Sequence, residues 1–147
     1  CVATAVQAPQ KFAKYLGSTF WREEGIATAS ARVGQRLKDD IAFAHDNVRR
    51  FAEAQKSTLQ DIQLEIVPGL IAGQKAIPCR AAGCYVPGGR YSHVASAIMT
   101  VTTAQVAGCS HITACSPPRA GAGVAPAIIH AANLCGADKI LSMVLVQ

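Results

Sequence analysis

The sequence predicts an α/β fold, a parallel sheet with flanking helices, preceded by a long amphipathic helix. Three observations carry that prediction. Apolar residues recur at helical spacing from about Gln35 to Lys56. From Cys84 onward, strand-like and helix-like stretches alternate with short connections, the order that a parallel sheet with crossover helices requires. Half of the 147 residues are hydrophobic and only 16% are charged, a balance that suits a largely buried sheet.

Residues 1–30 remain unassigned. They hold a weak amphipathic stretch from Phe12 to Leu16 and then an exposed-looking "FWREEG". In the long helix, Leu37, Ile41, Ala44, Val48 and Phe51 fall at spacings of four and three, which puts them on one face. Charges occupy the other face, including an i,i+4 pair, Asp46 with Arg50. From Ile62 the period changes to two: in "IQLEIVP", Ile62, Leu64 and Ile66 alternate with Gln63 and Glu65, as in a half-buried strand. Pro68-Gly69 signals a turn, and two short strands are expected at Gln74–Pro78 and Cys84–Val86.

"SHVASAIMTVTTAQVAG" is small and apolar on most sides, which suits a helix buried against a sheet, with Ser92 as its N-cap and Gly108 as its stop. "HITACS" is a strand, "VAPAIIHAANLCG" a helix ending at Gly136, and "KILSMVLV" a closing strand. This order is half of a nucleotide-binding, Rossmann-like sheet. The organisation expected is therefore an unassigned segment over 1–30 and a partial nucleotide-binding domain over 31–147. A chain stopping at "KILSMVLV" leaves an apolar strand at or near a sheet edge, which predicts a poorly soluble or oligomeric chain.

Several function classes are disfavoured. The formal net charge is +5, but basic residues are interleaved with acids, as in Lys38, Asp39, Asp40 and Asp46, Arg49, Arg50, Glu53, the pattern of a solvated helix face rather than a nucleic-acid stripe. No uninterrupted apolar run approaches the roughly 18–20 residues that cross a bilayer. The opening lacks signal-peptide order and Cys1 stands where Met would, so a cytoplasmic protein, and a piece of something longer, is expected. Cys1, Cys79, Cys84, Cys109, Cys115 and Cys135 form no C-x-x-C pair, and His45, His93, His111 and His130 do not fall at zinc-site spacing beside them. Reduced core thiols and ordinary polar histidines are the expectation.

The chemistry centres on "CYVPGGRYSH". Gly88 and Gly89 fall at a strand tip just before a helix, where ligands bind in such sheets. Without Cβ atoms they allow close approach and positive φ, and the N–H groups opening the next helix favour negative charge. Tyr85 offers an aromatic face there, and Arg90 a fork for a phosphate, carboxylate or sulfonate. The bland alternative is that Pro87-Gly88-Gly89 is only a tight turn. "GAGVAP" looks like the start of a dinucleotide fingerprint, but Pro126 stands at its third glycine and no acid follows at the expected distance.

The ordered set "NVRRFAEAQ", "PGLIAGQKAIP", "YVPGG", "MTVTTAQVAGC", "ITACSPPR" and "PAIIHAANLCGADKI" resembles the histidinol dehydrogenase family, from about Val33 to Gln147. "CYVPGGRYSHVASAIMT" and "ACSPPRAGAGVAPAI" resemble the branch that oxidises sulfopropanediol (2,3-dihydroxypropane-1-sulfonate) more than the enzymes acting on histidinol. The resemblance implies an NAD-dependent, zinc-assisted oxidation of a primary alcohol through an aldehyde to a carboxylate, in a full-length homodimer, with a Glu–His pair moving protons. It implies NAD contacts at Tyr85 and Gln147, with Pro87, Gly88 and Gly89 lining the same pocket. Arg90, beside the Gly-Gly turn, would suit the substrate sulfonate and a cofactor phosphate equally. It also implies that the zinc ligands and acid–base pair belong to sequence beyond Gln147, so that this piece carries no catalytic residue and no metal ligand and is inactive alone. One departure stands out: the family's Gly-Gly before the final Val146-Gln147 is Val144-Leu145 here, two branched side chains where a dinucleotide would approach. The competing expectations are a non-catalytic anion- or nucleotide-binding module and a degenerate product with no function.

Overall fold

A computed structural model describes residues 19–88, 91–119 and 123–143. In chain order the elements are β1 (Thr19–Phe20), α1 (Glu23–Ala31), α2 (Gln35–Ser57), β2 (Ile62–Val67), β3 (Leu70–Gln74), β4 (Ala81–Tyr85), α3 (Val94–Ala107), β5 (His111–Ser116), α4 (Pro126–Leu134) and β6 (Lys139–Ser142). The main sheet has the order β1-β6-β5-β4. Strands β4, β5 and β6 run parallel, with Cys84 opposite Ala114 and Ala114 opposite Ile140. The mixed α/β architecture with a parallel sheet and flanking helices is therefore as expected.

Helices α3 and α4 are the crossovers, and they pack on each other and on the sheet. Along β5, Ile112, Ala114 and Ser116 are buried while Thr113 and Cys115 are only partly so, the alternation of a strand with one well-covered face. Helix α2 lies on α3 and α1 lies on α4. The core joins Val86, Ile98, Val101, Ile112, Ile128, Ile129 and Ile140, all nearly sealed from water. Gly108 ends α3 with φ +89, a conformation that costs a side-chain-bearing residue free energy and costs glycine little.

Several sequence expectations change. The buried stripe of α2 is Ile41, Ala44, Val48 and Ala52, whereas Leu37 and Phe51 are exposed. The alanines let α2 approach α3 closely, and Phe51, 100° around the helix from Ala52, is carried away from that contact. Arg49, not Arg50, holds Asp46, and it binds Glu53 as well. Helix α3 begins at Val94 with His93, not Ser92, as its cap and no side-chain capping bond, and the Ser92 hydroxyl accepts from Arg119 instead.

The unassigned segment contributes β1 and α1. Trp21 of "FWREEG" is partly buried against the core, and Glu23 and Glu24 form the first turn of α1, where acids favour the helix dipole. Strand β6 is not an edge. It pairs antiparallel with β1, Thr19 opposite Ser142 and Phe20 opposite Leu141, and the Trp21 N–H donates to the Ile140 carbonyl. The segment that showed no pattern thus covers the strand expected to be bare.

The strand expected at Gln74–Pro78 lies earlier, at Leu70–Gln74. The Pro68-Gly69 turn sends the chain straight back along β2, and Asp61 takes the Ala76 N–H where the ladder ends. The resulting β2–β3 hairpin is a separate two-stranded sheet, exposed along its whole length. The half-buried face read from "IQLEIVP" is therefore not buried by the described residues. The strand expected at Cys84–Val86 is β4, shifted back to Ala81–Tyr85.

One joint of the fold is sensitive to pH. Ser30 of α1 and Nδ1 of His130 on α4 share a 2.8 Å hydrogen bond. Burial, with a smaller push from the Lys38 ammonium, lowers the His130 pKa from 6.5. The neutral ring is the form that the fold favours, so this contribution is fully present above about pH 6.5 and is lost as the pH falls below it. Thermal melts should fall on acidification from pH 7 to 5, with a shallower fall in His130→Gln. Equal slopes for the two proteins would show that His130 is not the group responsible.

Candidate functional site

The carboxyl ends of the three parallel strands are where the sequence places the candidate site. Beyond Tyr85, the Val86 N–H donates to the Cys115 carbonyl (2.8 Å), and beyond Ser142 the Met143 N–H donates to the Ser116 carbonyl (3.0 Å). The pairing therefore runs past the named strands and fixes where the loops depart. Tyr85 stands at the tip of β4, 37% exposed, with Pro87 also exposed. Val86 between them is fully buried. The strand alternation thus turns the tyrosine outward while its neighbour anchors the chain.

Gly88 is buried, and it has no positive φ among the residues that do. The reason for glycine is close approach to its own chain. A Cβ placed there would lie 2.6 Å from Ser116 Oγ and 3.0 Å from the Pro117 carbonyl oxygen. Gly88 joins the β4–α3 loop to the end of β5 and so sets the floor on which Tyr85 and Pro87 stand. Gly88→Ala is expected to lower stability by about 1–3 kcal/mol through overpacking. Adding Ser116→Ala should recover part of that loss, since it removes the nearer atom. Additive losses in chemical denaturation would mean that the two residues do not meet as described.

Arg119 ties the same loops together. Its Nη2 donates to Ser92 Oγ at 2.8 Å, reaching from the β5–α4 loop to the residue just ahead of α3. Its backbone makes two reciprocal bonds with Gly123, of 2.8 and 3.2 Å, so the arginine stands on a closed base. Arg119 was not singled out from the sequence. Its partner is 27 residues away, and only the strand order brings the two together.

Of the other residues expected here, Gly89, Arg90 and Gln147, like Val144 and Leu145, lie outside the described residues. In the glycine-rich "GAGVAP", Gly123 has φ +69, and Trp21 lies 4.0 Å from where its Cβ would stand. A cavity of about 250 Å³ lies between α1 and α4, bounded by Trp21, Thr28, Arg32, Val124 and Pro126. Glu24, Gly25, Thr28 and Ala29 of its wall come from α1, which showed no legible period in the sequence.

Four of the described thiols suit packing rather than reaction, while Cys79, expected in the core with the rest, is exposed. Cys84 and Cys135 are buried and Cys109 and Cys115 partly so, all free. Burial pushes the Cys84, Cys115 and Cys135 thiols up, away from the thiolate that a nucleophile needs. His111 is exposed on β5, His93 caps α3 and His130 is bonded to Ser30. Among the described residues, no three His, Cys, Asp or Glu side chains gather into a set that could hold a metal ion. The zinc implied by the resemblance has no ligand set among them. No described helix is long and apolar enough to cross a membrane.

Known proteins match this arrangement over nearly the whole chain. The family model described as histidinol dehydrogenase matches residues 3–145, so the match begins well before Val33. Sulfopropanediol 3-dehydrogenase of Ruegeria pomeroyi is 66% identical over 143 residues, covering 97% of this chain and 33% of that protein. Histidinol dehydrogenase of Methanosarcina mazei is 38% identical over 125 residues, covering 85% and 29%. The crystal structure of histidinol dehydrogenase from Elizabethkingia anophelis superposes with a TM-score of 0.72 at 31% identity, covering 92% of this chain and 31% of that one. The chain thus spans about a third of the length of the relatives it matches. On a family match of that extent and a shared fold, the chain belongs to the histidinol dehydrogenase family.

Proposed function

We propose that the chain is the cofactor-holding part of an NAD-dependent dehydrogenase that oxidises a primary alcohol through an aldehyde to a carboxylate. The substrate we propose is 2,3-dihydroxypropane-1-sulfonate, with L-histidinol the competing choice. The supporting observation is the exposed Tyr85 at the tip of a parallel strand, in a chain 66% identical to a sulfopropanediol 3-dehydrogenase.

Bound NAD supplies the hydride acceptor for each of the two oxidations. This chain's residues hold and orient it. Tyr85 presents its ring face and Pro87 an apolar edge, while Gly88 keeps the loop low by packing on Ser116 and Pro117. Gly89 and Gln147 complete the proposed cofactor contacts, and Arg90 remains the proposed partner of the substrate sulfonate. Binding, not turnover, is the role of this piece. The zinc and the proton-moving pair that the chemistry calls for come from elsewhere in a longer, homodimeric and cytoplasmic enzyme.

Titrating NAD while following Trp21 fluorescence tests the reading, because the single tryptophan packs beside Gly123 at the site's margin. A saturable change is expected, lost or weakened about tenfold or more in Tyr85→Ala, with stability little altered because Tyr85 is exposed. No saturable change in the unmodified chain would favour a degenerate product. Saturation by inorganic phosphate and NAD alike, untouched by Tyr85→Ala, would favour an anion-binding module.

A further inference from the structure

We propose that Arg119 receives the tetrahedral oxyanion, phosphate or sulfonate, of the ligand that binds at the carboxyl ends of β4 and β5. This rests on the reading of those tips as the ligand-binding end of the sheet.

The guanidinium carries a permanent charge and five N–H donors. Among the described residues it meets no carboxylate, since the ion pairs there are both made by Arg49. Its one side-chain bond goes to the neutral Ser92 hydroxyl, and its Nε is sealed from water with no acceptor. Arg119 is partly exposed, so the cost falls on its dry, unpaired Nε donor, and an anion at the same group offsets that cost. A second unpaired group lies nearby in the chain. The Ser116 side chain, at the end of β5, is 1% exposed, has no hydrogen-bond partner and is turned towards Gly88. Two buried polar atoms without a partner, Ser116 Oγ and Arg119 Nε, thus lie within four residues of each other at the end of β5.

The arginine is also held in advance. The reciprocal backbone bonds to Gly123 fix its base, and Ser92 fixes one nitrogen of the fork. Little side-chain freedom is left to lose when an anion arrives. A planar fork pairs two oxygens of a phosphate or sulfonate at once.

Two sources of that anion are separable. ADP presents the pyrophosphate of the cofactor, 2,3-dihydroxypropane-1-sulfonate presents the sulfonate, and adenosine is the uncharged control. Each is titrated by calorimetry into the unmodified chain, Arg119→Met and Arg119→Gln. Glutamine keeps a polar amide donor without the charge, and it ends two bonds short of the nitrogen that meets Ser92. Arg119→Gln and Arg119→Met should weaken either ADP or the sulfonate by about tenfold or more, leaving adenosine unchanged. Whichever ligand weakens names the source. If the unmodified chain binds ADP or the sulfonate and both variants bind it equally well, the anion role fails while the cofactor reading stands. If the unmodified chain binds none of the three, both fail together. Should Arg119→Met not fold, Arg119→Gln decides by the same criterion. A loss shared equally by adenosine assigns Arg119 to holding the loops together and overturns the proposal.

Discussion

Ile128→Ala is expected to cost about 2–5 kcal/mol, the range for truncating a sealed aliphatic side chain. Ile128 is 1% exposed and sits on α4, where Ile129, Ala131 and Ala132 are also buried, as is Cys135 at its C-cap. Helix α4 packs against α1, α3 and β6, so neighbours on several sides hold the void open rather than collapsing into it. At a few degrees of melting temperature per kcal/mol for a domain of this size, the melt should fall by roughly 5–20 °C. Ile77→Ala, by contrast, removes as many atoms from a side chain that is 80% exposed, and should change the melt little. Similar losses from the two substitutions would mean that the core does not lie where the sheet and α4 place it.

That helix and strand β5 are the parts most legible in the sequence, and the reason is burial. "HITACS" and "PAIIHAANL" are short apolar runs bounded by glycine and proline, so the ends were marked as clearly as the middles. Helix α2 was legible in extent but not wholly in its buried face. Its period is real, yet close approach to α3 chose alanines, and an apolar count favours phenylalanine. Helix α1 was not legible, because Ala29 is its one fully buried residue and its glycine, threonine and alanines carry little hydrophobic signal. Strand β1 is two residues long, below what any period can show, and it exists because β6 offers it a partner.

The site divides in the same way. The strand-tip position of Tyr85 could be read from the alternation of strand, turn and helix. The role of Gly88 could not. Its need to lack a side chain comes from Ser116 and Pro117, which meet it only once β4 and β5 lie side by side. The Arg119–Ser92 contact is of the same kind. Chemistry carried by one stretch of chain was visible in the sequence, and chemistry made by two loops meeting was not.

The isolated chain is expected to self-associate through the β2–β3 hairpin. The sequence pointed to a bare edge at β6, but β1 occupies it, which moves the cause to the hairpin. Ile62, Leu64, Ile66, Val67, Leu70 and Ile71 are each 53–60% exposed on a two-stranded sheet. Such a sheet is marginal alone in water, and its apolar surface and unpaired edges favour pairing with another copy. Ile62→Lys with Leu64→Lys places charge on one face without touching the core, since alternate residues of a strand share a face. The association constant should fall about a hundredfold or more, which is roughly 2.7 kcal/mol of lost association. Sedimentation velocity on both proteins measures it, and the melt of the main sheet should hold, because no close packing of the hairpin on other elements is found among the described residues. An unmodified chain that sediments as a monomer throughout the micromolar range would show that the hairpin is tolerated bare, and the apolar surface would then have no part in assembly.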